Sequence, residues 1–261
     1  MITKIMFLTL LSLATLNGNS MTTKNPTATS EQMLLALAHD WTSTTGYLQR
    51  FERTTCTESW HTVGEKIAVS FGFKGLGWGI GLHDAGLPDL PAFSNNPRVF
   101  EGSRRSPVGV FALNLAFGKA SKTEPDAKNI KLPYQQITQH LWAIDDPQSQ
   151  YYNRVVDDQL VTKDWNSAED MKFCMNDGVY EFAIYIEHNY EKPIPGKGST
   201  FFIHVHRKPG SPTWGCTAFS REQVKKVITW LDPHKTPILV QLPVEVFNTL
   251  KSQWNLPDFK M

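Results

Sequence analysis

Cysteine is scarce in this chain: Cys56, Cys174 and Cys216 are the only three among 261 residues. That excludes a disulfide scaffold, and the odd number leaves at least one thiol unpaired within the chain. Any of the three pairings stays open, Cys56 with Cys174 among them. The leftover thiol is either a reactive group or a small buried hydrophobe. An excess of one charge is also missing, with 26 Lys and Arg against 25 Asp and Glu. A dedicated nucleic-acid binder usually carries a basic surplus, so no nucleic-acid partner is expected. Beyond the N-terminus there is no apolar run of the roughly 20 residues a membrane-spanning helix needs. Internal repeats, low-complexity blocks and long linkers are absent too. What is present is 41% hydrophobic and 20% charged residues, enough to bury a real core.

The N-terminus has the layout of a secretory signal peptide: Lys4, an apolar stretch at 5–16, then Gly18 and Ser20 as small residues before a cut. An N-terminal anchor or a buried helix is the other reading of such a stretch. The expected organisation is a signal peptide at 1–20, a flexible lead-in at 21–33 and one domain at 34–261 ending in a helix. A cleaved signal near Ser20 implies a periplasmic or secreted protein with no membrane span afterwards. Lys4 is the only charged residue removed, so the remaining side chains balance.

The pattern predicts a fold that is mainly β with a few helices. Residues 31–38 fit either a helix turn or a strand. Strands are expected at 47–51, 66–71, 108–115, 141–143, 182–187, 201–206 and 237–242. Residues 88–97, rich in proline, read as a loop, and six glycines at 72–86 suggest tight turns. A helix could open at Ser167, with Asp170 three residues on. A second opens at Ser220 and shows Val224, Val227, Ile228 and Leu231 at helical spacing. A third is expected at 244–254. In the 201–206 strand, alternation puts Phe202, His204 and His206 on one face.

The chemistry concentrates between Ser199 and Ser220. Cys216 follows Gly215 on a turn before a helix cap. Backbone N–H groups of Gly215 and Cys216 could form an oxyanion hole. An imidazole, His204 or His206, together with a nearby helix start, would lower the thiol pKa. The plain alternative is two hydrogen-bonded strand histidines and a buried cysteine. His83 with Asp84, and His61, lack metal spacing and read as surface residues.

Read together, Phe202-Ile203-His204 followed by Thr213-Trp214-Gly215-Cys216 resembles the signature of the L,D-transpeptidase (YkuD) catalytic domain. A second block agrees: Glu101-Gly102-Ser103-Arg104-Arg105-Ser106-Pro107-Val108-Gly109-Val110-Phe111, then Ala116-Phe117-Gly118. Trp142, Asp145-Asp146-Pro147, Tyr152-Asn153 and Gly198-Ser199 add to it. The resemblance runs from about Leu34 to Pro257.

The resemblance implies a sandwich- or barrel-like β domain with Cys216 as nucleophile and His204 as general base, oriented by the carbonyl of Val205. It implies peptidoglycan stem peptides as partners. A tetrapeptide would be attacked between diaminopimelate and D-Ala, giving a thioester that an amine resolves into a 3→3 crosslink. Water as acceptor gives an L,D-carboxypeptidase, and some relatives act on a lipoprotein linkage. Carbapenem acylation is a further expectation, and no cofactor or metal is implied. The sequence departs from the family at Trp214, often His or Lys, and at Thr217-Ala218, where an Arg is common. Arg207 and Lys208 are candidate substitutes for that Arg, or plain solvated charges. Thr213, Trp214, His206 and Arg207 are the expected substrate contacts, with Trp214 alternatively a core plug. Two other classes compete. One is a zinc hydrolase using His204, His206 and Cys216; the other is a catalytically idle wall-binding module.

Overall fold

The computed structural model describes residues 25–83 and 85–260. The expected signal peptide and the first residues of the lead-in lie outside them, as does Asp84. The chain is mainly β. In chain order the strands are β1 Gln32–Ala38, β2 Thr45–Glu52, β3 His61–Ser70, β4 Leu76–Trp78, β5 Ser106–Ala112, β6 Ala116–Gly118, β7 Tyr134–Gln136, β8 Leu141–Ala143, β9 Val155–Asp157 and β10 Glu169–Asp170. Helix α1 Met171–Asn176 follows. Then come β11 Phe182–Tyr185, β12 Phe202–Val205, β13 Thr217–Phe219, α2 Arg221–Trp230, β14 Ile238–Pro243 and α3 Val244–Leu250.

One mixed sheet runs β4-β5-β14-β1-β2-β3-β13-β12-β11-β6-β7, and a small one runs β10-β8-β9. β1 settles the ambiguity at 31–38 as a strand. All seven of its residues are buried. It lies parallel to β14 and antiparallel to β2, so both edges are paired. An apolar run covered on both faces is what such a central strand requires. β5 and β14 are likewise buried throughout.

Two apolar clusters flank the site. The larger takes Phe201, Ile203 and Val205 of the β12 region, and the smaller takes Phe202 with Phe117, Tyr180 and Tyr185. The period-2 alternation therefore sorts β12 as expected, with one face in each cluster.

Several expectations shift. The lead-in is not loose up to residue 33. Gln32 and Met33 belong to β1, and Thr27 and Ser30 are buried. Arg53 donates 2.7 Å bonds to the carbonyls of Ser30 and Thr27, and the Thr27 hydroxyl donates to Trp254 O at 2.7 Å. Ser167 does not cap α1. The cap is Asp170, whose Oδ1 accepts from Phe173 N–H at 2.9 Å, while the Ser167 hydroxyl turns to Asp145. Two residues of β10 fill the space where the helix was expected to begin. The last helix stops at Leu250, short of 254. Ser220 caps α2 as expected, its side chain accepting from Gln223 N–H. His83 is buried, not superficial: its Nδ1 accepts from Val110 N–H at 3.2 Å and its Nε2 lies 3.2 Å from Gly79 O. No helix among the described residues is long and apolar enough to cross a membrane.

Candidate active site

The site grows from a crossing of two parallel strands. β12 and β13 pair Ile203 with Thr217 and His204 with Ala218. Cys216 is thereby placed beside Phe202 at the mouth of β13, and Phe202 N–H points at Cys216 Sγ from 3.3 Å. His204 lies two residues further along the same face of β12. Neighbouring strands are about 4.8 Å apart and two residues advance by about 6.6 Å. Both side chains open into one cavity of about 860 Å³.

The turn before Cys216 is held from several sides. Gly215 has φ +144°, and a Cβ there would meet the Phe201 ring at 2.6 Å. This is one position where the chain needs glycine. The Thr213 hydroxyl donates to Cys216 O at 2.6 Å, and the Ser106 hydroxyl donates to the same carbonyl at 2.9 Å. Ser106 in turn accepts from Gly72 N–H at 2.8 Å. The two sequence blocks, one around residue 106 and one around residue 216, thus meet at a single carbonyl group. Asn153 holds Thr200, a residue of the cavity wall. Its Oδ1 accepts from Tyr185 O–H at 2.6 Å and Thr200 N–H at 2.9 Å, and its amide donates to the carbonyls of His188 and Asn189. Thr200 and Arg104, both on the cavity wall, hold the left-handed conformation with φ +56°. Such strain in non-glycine residues clusters at functional sites.

The His204 ring has a defined proton arrangement. Nδ1 lies 2.9 Å from Val205 O. A carbonyl only accepts, so Nδ1 carries the hydrogen and Nε2 presents its lone pair. Burial pushes the imidazolium down to about 4, so the ring is neutral at physiological pH. Cys216 departs from expectation. Burial, and next the negative charge of Glu169, push the thiol up to about 12, against the help of Phe202 N–H and Tyr180. The helix that follows Cys216 in the chain, α2, begins only at Arg221, too far along to stabilise a thiolate through its first turn. The resting pair is a neutral thiol and a neutral imidazole.

The expected oxyanion hole is revised. Gly215 N–H is already donated to Thr213 Oγ1 at 3.1 Å. Of the two expected donors, this leaves Cys216 N–H as the one not engaged by Thr213. Trp214 is not a core plug. It is 75% exposed at the cavity mouth, with the Arg104 guanidinium 4.2 Å above its ring. Phe73 and Phe100 are exposed on the same rim. His206 lines the cavity, and burial lowers its pKa. Arg207 lines it too, though its guanidinium is committed to Asp177 at 2.5 Å.

Beside the nucleophile stand Glu169, which the sequence did not single out, and Glu101, which belongs to the resembling block. Glu169, at the start of β10, accepts from Tyr180 O–H at 2.9 Å and from Cys174 S–H at 3.1 Å. Glu101 accepts from Tyr152 O–H at 2.6 Å and Ser199 O–H at 2.9 Å. Burial raises the pKa of both carboxyls. A two-residue strand with an ordinary Glu169 gives no pattern to read, whereas Glu101 and Ser106 are visible within the resembling block.

All three cysteines are free, so the Cys56–Cys174 pairing is not formed. Among the described residues, the one His, Cys, Asp and Glu group with ligand atoms within 4.8 Å of each other is His140, Asp157 and Asp158, away from the cavity. His204, His206 and Cys216 do not make such a group. Comparison with known protein families, with curated proteins and with solved structures finds no match to this chain.

Proposed function

We propose that this chain is a cysteine acyltransferase of the L,D-transpeptidase type, with a YkuD-like catalytic domain that acts on peptidoglycan stem peptides outside the cytoplasm. The observation that carries the reading is the convergence of the two resembling blocks on Cys216: Ser106 and Thr213 both hold its carbonyl, and His204 opens into the same cavity.

The chemistry follows from the neutral pair. A thiol this hard to ionise attacks only as its proton leaves, so His204 Nε2 takes the proton while the S–C bond forms. This is general-base catalysis coupled to nucleophilic attack. Negative charge develops on the carbonyl oxygen, where Cys216 N–H is the available protein donor. Collapse breaks the bond between diaminopimelate and D-Ala. The leaving amine takes the proton from His204, which returns to its neutral form. The amine of a second stem then attacks the thioester, gives its proton to Nε2 and releases Cys216 with a 3→3 crosslink. Holding both stems in one cavity converts a bimolecular encounter into a nearly unimolecular one. Trp214 and Arg104 at the mouth supply a stacking face and a positive charge for a stem carboxylate. With Arg207 paired to Asp177, Arg104 is the better candidate for the substrate carboxylate in place of the family's Arg after the Cys.

The test is acylation by a carbapenem, read by intact mass. The mature protein gains one drug mass on the peptide that holds Cys216, and Cys216→Ala gains none. A protein that stays unmodified over hours contradicts the reading and favours an idle wall-binding module.

A further inference from the structure

Tyr180 is wholly buried behind the nucleophile, and its ring packs edge-on to the His204 ring at 5.6 Å and against the Phe202 ring at 5.0 Å. Its hydroxyl donates to Glu169 Oε1 at 2.9 Å, Cys216 packs against the apolar cluster that holds Tyr180, and Glu169, Tyr180, His204 and Cys216 all line the one cavity. One phenol therefore packs on the His204 ring, lies in the cluster that Cys216 packs against, and is tied to a half-buried carboxyl. A half-buried acid beside the nucleophile, whose charge opposes formation of the thiolate, costs reactivity unless it serves something else.

We propose that Tyr180 is a third catalytic residue, whose hydroxyl donates to the sulfur of Cys216 as the thiol proton moves to His204, and that Glu169 is its positioning residue. A phenol has a single proton to give. When Glu169 is ionised, that proton points to Oε1, and the sulfur has both a lost donor and a nearby negative charge. When Glu169 carries a proton it donates to the phenol oxygen, and the Tyr180 proton turns to the sulfur. In the reaction step the Cys216 S–H bond breaks, its proton passes to Nε2, and the sulfur electron pair forms the bond to carbon. Tyr180 keeps its own proton throughout. Cys174 S–H donates to the same Oε1 and holds the carboxyl in place.

The proposal rests on Cys216 being the nucleophile but on no particular substrate, so the test uses a small alkylating agent. Cys216 alkylation by iodoacetamide is followed against pH by peptide mass mapping in the full mature chain. The profile reads every titratable or charged group around the sulfur and its partners: Glu169 and Asp145, Cys174, Tyr180, His204, His206 and Arg207. Two variants isolate the proposed pair. Tyr180→Phe keeps the ring packing and removes the donor. It is expected to slow alkylation roughly tenfold near pH 7.5 and move the profile up by about one pH unit, the scale of one hydrogen bond to a charged group. Glu169→Gln keeps a hydrogen-bonding partner for Tyr180 and removes the charge. It is expected to speed alkylation and move the profile down. Mere loosening of the wall would speed both variants. Tyr180→Phe at or above the wild-type rate overturns the proposal, as does a Glu169→Gln profile that stays put or moves up. A wild-type Cys216 that resists alkylation while Cys56 reacts would instead sink the nucleophile assignment itself.

Discussion

At the residue scale the site is a set of small hydrogen-bonding side chains aimed at one backbone group. Ser106 is the clearest case, because it serves Gly72 N–H and Cys216 O together. Ser106→Ala leaves Gly72 N–H without its buried partner and drops one of two donors on the Cys216 carbonyl. The expected cost is about 1–3 kcal/mol of stability, with a loss of acylation rate larger than any loss of substrate binding. Thermal melting and single-turnover carbapenem acylation check the two halves. A variant with unchanged melting and unchanged acylation would show that Thr213 alone holds the turn. Gly215→Ala faces a harder conflict, since a Cβ at φ +144° meets the Phe201 ring at 2.6 Å. It is expected to lose most acylation and to destabilise by roughly 1–3 kcal/mol. Near-normal acylation with a soluble, folded Gly215→Ala protein would contradict the claim that this turn aims the thiol.

At the element scale, short-range patterns were legible and long-range ones were not. Ser220 and the Val224, Val227, Ile228 spacing announce α2 because the cap and the apolar stripe are local features. Ser220→Ala is accordingly expected to cost about 1 kcal/mol, read as a lowered unfolding midpoint in urea. An unchanged midpoint would mean that α2 is held by its packing alone. Ser167 misled because Ser and Asp are both good caps, and the choice between them was made by β10 pairing to β8, a contact that no local window contains. The β12 alternation placed His204 on the correct face. What the sequence did not reveal is the wall beside it: Glu169 on β10 and Tyr180 in the turn after α1 lie eleven residues apart and meet only in the fold. The expected low thiol pKa failed for the same reason, because burial and a distant carboxyl, not the adjacent residues, set it.

At the scale of the whole molecule, buried neutral histidines tie the fold to pH. His188 and His204 are both held near 4 by burial, against an ordinary 6.5. Their folded values are depressed, so the stability they contribute is intact above pH 6.5 and is lost as pH falls toward 4. Over that window the unfolded chain takes up protons that the folded chain refuses, at roughly 3 kcal/mol per histidine. Melting temperature is expected to decline from about pH 6.5 downward and to level off, for these two groups, near pH 4. A flat melting curve down to pH 4.5 would contradict their neutral burial. The same scale holds the functional claim, because residues 101–104 and 213–216, far apart in the chain, line one cavity and Ser106 reaches the Cys216 carbonyl.

The most direct test of that claim is product analysis. Purified disaccharide-tetrapeptide is incubated with the protein, and with Cys216→Ala beside it, and the products are resolved by mass spectrometry. The account predicts a 3→3 crosslinked dimer with release of D-Ala, absent with Cys216→Ala. Tripeptide and D-Ala without dimer would move the assignment to a carboxypeptidase that uses the same thioester. No product dependent on Cys216 would contradict the account.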